Sequence, residues 1–409
     1  MQNKKSHSIL VLCDAFGKPA YTPRLRYLCD YLVAKGWHVD VFTEQFEPLP
    51  FSHSYRITEI PIYRYRKLDW FFKAIGIVLF DWKSRFYARR VIRQVANIRY
   101  DAVLACTFPA TPLRAAYAVA QAQQIPMLID LRDLDEQTPT HQYQAHRRWN
   151  SKFILRLYRA LNIHRRNYYI SRANSLSSVS PWHVCKLHQW NEQVHLIYNG
   201  FDEHIFVPRN VRSDAFRIIY TGRIYDKALQ DPSLFFKALQ EMRAAGQLPE
   251  EMTIDWYSDA TGQARIQHWA KQTGTENYMH FYAYVSTEQI PDLLHQCSIA
   301  LVISHKTNKN GPHGIMTTKF FEALGVEKPV LCVPSDEECL ATVIKETNAG
   351  IAATSVEEIK AFILDKYAEW KENGFTHQPV YLEQKKFFSR QYQAQQFEQI
   401  LLNTINGQK

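Results

Sequence analysis

Glycine is scarce in this 409-residue sequence, at 14 residues, and no fixed period recurs, which excludes collagen-like and repeat architectures. Cysteine is thin and scattered. The seven, at positions 13, 29, 106, 185, 297, 332 and 339, are odd in number and form no C-x-x-C pair. Neither a disulfide framework nor a zinc site is expected; free thiols in a reducing cytoplasm are. A long apolar run is also missing. The longest, residues 70–80, contains Lys73 and is too short for a hydrocarbon core about 30 Å thick. The run that follows Lys4 and Lys5 covers only residues 9–13, short of an export signal. These absences predict a cytoplasmic chain, soluble or peripheral to a membrane. Several chemical signatures are absent too. No G-x-G-x-x-G follows the first strand-like segment, which argues against a dinucleotide cofactor. No G-x-x-x-x-G-K-[ST] occurs, nor H-E-x-x-H, nor G-x-S-x-G.

What is present is apolar and aromatic matter, 46% and 13% of the chain, enough for large cores. At 409 residues the length predicts two or three domains. The net charge of +9 is unevenly placed: residues 1–200 hold 28 Lys and Arg against 14 Asp and Glu, residues 201–409 hold 21 against 26. Opposite signs suggest two domains with different partners. A basic first half suits an anionic membrane surface, a phosphate-bearing acceptor or a nucleic acid, or else is a solvated basic face.

Along the chain, strand and helix patterns alternate. In the first half, residues 8–15, 37–43, 101–106, 126–131, 175–180 and 194–198 read as strands, with helices at 24–35 and 113–124. Residues 64–99 are basic and aromatic, and 137–191 hold nine Lys and Arg with no acid on a helical pattern. The second half repeats the alternation, with strands at 216–221, 252–258, 280–284, 299–304 and 329–333 and helices at 233–244, 264–273, 287–296 and 317–324. A long amphipathic helix is expected over 384–403. The fold class is therefore α/β, with two Rossmann-like doubly wound domains facing a central cleft. The expected boundaries are 1–198, a linker at 199–212, a second domain at 213–380 and a closing helical segment at 381–409.

Three segments carry candidate chemistry. The loop Thr221-Gly222-Arg223-Ile224-Tyr225-Asp226-Lys227 follows a strand end, where Arg223 and Lys227 can hold a diphosphate and stabilise it as a leaving group; alternatively it is solvated, with Arg223 paired to Asp226. The segment from His313 to Leu324 runs from a loop into a helix. Thr317 or Thr318 can cap it, the free N–H groups of its start suit a phosphate, and Thr318 and Glu322 share a face. A carboxylate one turn below a phosphate suits ribose hydroxyls; the alternative is an ordinary capped helix with Lys319 and Glu322 as a surface pair. Asp133 and Asp135 form a D-x-D, a pattern some sugar transferases use for a metal, or Arg132 among these acids makes a local charge network. Residues 70–93 interleave Trp70, Phe71, Phe72, Trp82, Phe86 and Tyr87 with Lys83, Arg85, Arg89, Arg90 and Arg93. That mixture suits an anionic lipid interface, or a core helix with a basic outer face, better than nucleic acid.

Four segments resemble the GT-B glycosyltransferases, and among them the retaining glycosyltransferase family 4: residues 178–206 at the domain junction, IYTGR at 219–223, residues 284–304, and TTKFFEALGVEKPVL at 317–331. The resemblance implies transfer of a sugar from a nucleotide-diphospho-sugar to a glycan or lipid-linked acceptor, with retention and without metal or other cofactor, in the assembly of surface polysaccharide or glycoconjugate. Arg223 and a nearby lysine would bind the diphosphate; the family's lysine usually lies five residues after the arginine, and Lys227 lies four after. Glu322 matches the second glutamate of the family's E-x7-E pair, which holds the ribose, while the first falls at Gly314. His313, Thr317 or the backbone would then serve the donor sugar. Gly17 matches the phosphate-facing loop of the first domain, Asn199 the hinge, and the final helix the one that crosses back to the first domain. The candidate catalytic residues are Arg223, Lys227 and Asp133. The candidate donor-binding residues are Gly17, Asn199, Gly222, Arg223, His313, Gly314, Thr317, Thr318, Lys319 and Glu322, with no metal ligands assigned. A sugar-nucleotide epimerase and a non-catalytic scaffold are the alternatives, the latter motivated by Gly314.

Overall fold

The computed structural model describes residues 6–17, 23–47, 53–60, 80–107, 110–137, 152–225, 227, 229–305, 307 and 312–407. The chain forms two units, residues 1–198 with 393–409, and residues 199–392. In the first, β1 (Ser8–Phe16), β2 (His38–Phe46), β3 (Arg56–Glu59), β4 (Ala102–Thr107), β5 (Met127–Leu131), β6 (Ser175–Ser178) and β7 (Val194–Leu196) make one parallel sheet. Its order is β3-β2-β1-β4-β5-β6-β7. Strands β4 and β5 are buried at every residue, as a parallel strand covered on both faces requires. Tyr87, Val91, Leu113 and Val119, from helices Trp82–Val95 and Thr111–Gln123, cover one face. Leu25, Leu28 and Leu32 of helix Pro23–Ala34 cover the other, with Phe397, Leu401 and Ile405 of helix Arg390–Asn406.

The second unit repeats the plan. Strands β8 (Phe216–Thr221), β9 (Met252–Tyr257), β10 (Met279–Tyr282), β11 (Ile299–Ile303), β12 (Val330–Val333) and β13 (Gly350–Ala352) are parallel in the order β10-β9-β8-β11-β12-β13. Helices Ser233–Ala244 and Val356–Asn373 bury Phe235, Phe236, Ile359 and Ile363 in its core. Both sheets are thus Rossmann-like and doubly wound, as the alternation predicts. In each the order reverses beside the first strand, and that reversal is where such sheets bind ligands.

Some expectations need correction. Residues 199–212, expected to be a linker, pack with the second unit: Phe201 and Phe206 are buried, and a Cβ at Gly325 would stand 2.9 Å from Phe201 Cγ and 2.8 Å from Phe206 Cβ. The helix expected over 384–403 is broken. A short helix, Leu382–Lys385, ends in a turn where Phe388 is buried against Phe321, at 5.5 Å between rings. Ser389 is extended and bridges to Phe201, and the long helix starts at Arg390. The helical pattern over 137–191 resolves into Lys152–Ile170 and Pro181–Leu187 with β6 between them. Residues 70–79 lie outside the described residues, so only the part of the aromatic and basic segment from Phe80 onward is placed.

Candidate functional site

Strand β8 ends at Thr221, beside β11 where the order of the second sheet reverses, and delivers Gly222 and Arg223 there. Gly222 has φ +106, a conformation open to glycine, and donates its N–H to the Tyr257 carbonyl at 2.8 Å. The loop is pinned from several sides. The Tyr220 hydroxyl donates to the Arg223 carbonyl at 2.7 Å, Arg265 donates to the Ile224 carbonyl at 2.7 Å, and Gln230 accepts from the Tyr225 N–H at 2.8 Å. The Arg223 guanidinium is 61% exposed, hydrogen-bonds Tyr284, lies 5.9 Å from the Tyr225 ring and 3.6 Å from Asp259 Oδ2. Its bond to Tyr284, with lesser help from Tyr225 and Asp259, holds its pKa above the usual value. Asp259 is itself fixed, capping helix Ala260–Thr273 through the Gly262 N–H at 2.6 Å. Asp226, the alternative partner for Arg223, lies outside the described residues.

Lys227 goes elsewhere. It is 62% exposed, 3.8 Å from Asp231 and 5.3 Å above the Trp269 ring, on an open groove of about 710 Å³ between its loop and helix Ala260–Thr273.

Helix Thr318–Gly325 buries Phe320, Phe321, Ala323 and Leu324. Thr317 stands at its N-cap without a side-chain cap bond. Lys319 and Glu322, on the other face, are half-buried and make no direct ion pair among the described residues, so the surface-pair alternative does not hold. A Cβ at Gly222 would lie 2.9 Å from Lys319 Cε and 3.1 Å from its Nζ. The ammonium rests 5.3 Å over the Tyr220 ring. Burial lowers the Lys319 pKa, with Glu322 opposing. Burial pushes the Glu322 carboxyl up to about 7, against the pull of Lys319 and Arg390. Before this helix, Gly314 is buried at φ +61, and His313 Nδ1 lies 3.2 Å from Glu338 Oε1. Asn199 reaches the same loop, its Nδ2 donating to the Met316 carbonyl at 3.4 Å. Gly222, Arg223 and Lys319 thus meet at one strand end, with Glu322 one turn along the helix from Lys319. Thr318 is exposed at the start of the helix.

Gly17 and Asp133 belong to the first unit, at the ends of β1 and β5. Gly17 has φ +98, and a Cβ there would fall 1.9 Å from the Glu47 carbonyl oxygen. The D-x-D does not converge: Asp133 is exposed, whereas Asp135 is buried and accepts from Asn162 Nδ2 at 2.5 Å. Burial pushes the Asp135 carboxyl up to about 6. Arg132 pairs with Asp14 at 2.8 Å, a local charge network. Among the described residues, no cluster of three metal-ligating side chains occurs. Asp259 and Glu338 join the site from outside the segments singled out in the sequence, and Tyr225 and Tyr284 join it from inside two of them without a role assigned to them there. Each follows a strand end closely, but which strands stand side by side is not written in local pattern.

Residues 24–204 match Glycosyltransferase Family 4, and residues 202–376 match Glycosyl transferases group 1. No curated protein matches the chain by sequence. Among solved structures, sucrose-phosphate synthase of Thermosynechococcus elongatus is similar at a TM-score of 0.66 and 16% identity, over 98% of this chain and 100% of that one. HepE of Anabaena, solved with UDP-glucose, is similar at 0.62 and 15%, over 97% and 100%. The lipopolysaccharide outer core galactosyltransferase WaaB is similar at 0.59 and 10%, over 98% and 100%. These likenesses concern the fold; the two family matches between them account for both halves of the chain. It is a glycosyltransferase of the GT-B fold, of the family 4 kind.

Proposed function

We propose that the protein transfers a sugar from a nucleotide-diphospho-sugar to a glycan or lipid-linked acceptor in surface polysaccharide or glycoconjugate assembly. The observation that carries this is the packing of Lys319 against Gly222, next to Arg223, at the switch point of the second sheet, with Glu322 one helical turn beyond Lys319. HepE, of similar fold, was solved with UDP-glucose, and WaaB acts in lipopolysaccharide outer core synthesis, which supports a nucleotide-sugar donor and a surface-glycan setting. In this reading Glu322, once ionised, accepts the ribose hydroxyls. Cationic side chains meet the diphosphate and stabilise the charge that grows on it as the glycosidic bond breaks. They do the work that a metal does in other transferases. Retention of configuration follows the family resemblance.

The acceptor belongs, in the same reading, on the basic first unit. Helix Trp82–Val95 buries Tyr87, Ala88, Val91 and Val95 and turns Trp82, Arg85, Arg89, Ile92 and Arg93 outward. Phe80 and Trp82 are about half exposed and stack at 6.1 Å. Basic residues beside exposed aromatics suit peripheral attachment to an anionic inner membrane face, and with it an acceptor carried on a lipid phosphate. Among the described residues, no helix is long and apolar enough to cross a membrane.

Incubation with a panel of nucleotide sugars, following nucleoside diphosphate release, tests the proposal. Release that requires an added acceptor, and persists in EDTA, is the expected result. Release that EDTA abolishes and manganese restores removes the metal-free part. Epimerised donor without acceptor replaces transfer by the epimerase, which shares the donor site. No binding of any nucleotide leaves the non-catalytic scaffold.

A further inference from the structure

A diphosphate leaving group carries two to three negative charges, and one exposed arginine is a small counterweight to them. The family resemblance looks for the second cation a few residues beyond Arg223, where this chain has Lys227. Yet the Lys227 ammonium lies 3.8 Å from Asp231 and 5.3 Å above Trp269, on the groove beside its loop.

Lys319 is placed quite differently. Its Cε and Nζ fill the space that a side chain at position 222 would take, 2.9 and 3.1 Å from that Cβ. The glycine at φ +106 therefore does two things: it lets the loop turn, and it leaves room for an ammonium at residue 222, the chain neighbour of Arg223. Tyr220 ties the two together, its ring 5.3 Å under the Lys319 ammonium and its hydroxyl 2.7 Å from the Arg223 carbonyl. Lys319 is also the second residue of a helix whose N-cap side chain makes no cap bond, so N–H groups of the first turn lie at the same place. No carboxylate pairs directly with it among the described residues. Glu322, one turn on, is itself held back from ionising by burial. A half-buried ammonium without a direct counter-ion is costly unless an anion completes it.

We infer that Lys319, and not Lys227, is the second cation on the donor diphosphate, bound beside Gly222 and acting with Arg223. The inference rests on the nucleotide-sugar reading above and gives that site its missing residue. It also accounts for the four-residue spacing from Arg223 to Lys227: with Lys319 in place, the loop lysine need not reach the phosphates.

Calorimetry on the full chain with UDP, GDP and ADP, and with the matching monophosphates, tests it. Wild type should prefer one diphosphate over its monophosphate. Lys319→Met should weaken that diphosphate about tenfold or more and leave the monophosphate within about threefold, the loss expected for one charge-assisted contact. Lys227→Met should change neither. The reverse pattern, or a diphosphate preference intact in Lys319→Met, overturns the assignment. Wild type that binds no nucleotide overturns the donor reading itself, and this inference with it. Should Lys319→Met fail to fold, acetylation of wild type read by mass spectrometry replaces it. Protection of Lys319 but not Lys227 by the diphosphate supports the assignment, and equal labelling with and without the diphosphate overturns it.

Discussion

Glu322 shows how one residue's burial sets opposite demands on stability and on binding. Its carboxyl is pushed up to about 7 in the ligand-free protein, above its value in an unfolded chain. The folded state therefore favours the protonated form. The stability this gives is fully present below the unfolded pKa and is lost as pH rises through about 7. Ribose binding needs the ionised form, so it should strengthen over the same interval. Glu322→Gln is expected to raise the melting temperature at pH 8 and to leave it nearly unchanged at pH 5, while nucleotide binding falls; scanning calorimetry at both values checks this. Glu322→Ala should cost roughly 2–4 kcal/mol of nucleoside diphosphate binding, two hydrogen bonds to a charged acceptor. Unchanged affinity in titration calorimetry removes the ribose role. Arg223 differs because it is exposed and held by Tyr284 and Tyr225. Charge on the diphosphate is greatest as the bond breaks, so Arg223→Ala should lower kcat about a hundredfold and raise KM little. Steady-state kinetics that show only a raised KM make it a binding residue alone.

Helix Trp82–Val95 combines two assignments on one element. Lys83 reaches inward, 2.5 Å from the buried Glu44, and Arg90 stacks on Phe86 at 4.6 Å. Neither belongs to the outer face, although the sequence groups them with Arg85 and Arg89. Charge reversal at Arg85, Arg89 and Arg93 should therefore abolish co-sedimentation with anionic vesicles and leave nucleotide binding intact. Each residue contributes about 1 kcal/mol near such a surface. Lys83→Glu should instead destabilise the fold by placing two carboxylates together. A wild type that ignores anionic vesicles at low salt removes the lipid-linked acceptor. Elements with strong periodicity were legible in the sequence: β1, β4, β8 and β11 are apolar runs, and helix Ser233–Ala244 matches the expected span. Weak ones were not. Strand β3 is a four-residue edge with both ends exposed, and β13 has only three residues, too short for any pattern. Gly222, Arg223 and Glu322 could be picked out by spacing and resemblance. The roles of Tyr284 and Asp259 could not, because their place depends on the strand order β10-β9-β8.

At the scale of the whole molecule, the first unit is built from two separate stretches of chain, 1–198 and 393–409. Phe397, Leu401 and Ile405 lie in its core, Arg24 stands 4.9 Å over the Phe397 ring, and Glu398 accepts from Tyr31 at 2.8 Å and Trp37 at 3.2 Å. Three large apolar side chains at about 1.5–3 kcal/mol each approach the whole net stability of a domain. Truncation after residue 389 should therefore abolish cooperative unfolding of the first unit. Phe397→Ala in the full chain should cost about 3–5 kcal/mol, read by denaturant melts. A truncated protein with an unchanged first transition disproves the dependence. The same arrangement sets a schedule for synthesis. At about 5–20 residues per second, the 194 residues of the second unit take roughly 10–40 s to emerge after Tyr198. Throughout that interval the first sheet waits on the ribosome with helix Pro23–Ala34 in place but the apolar surface that Phe397, Leu401 and Ile405 will cover still open, a window in which a chaperone, or an aggregate, reaches it first.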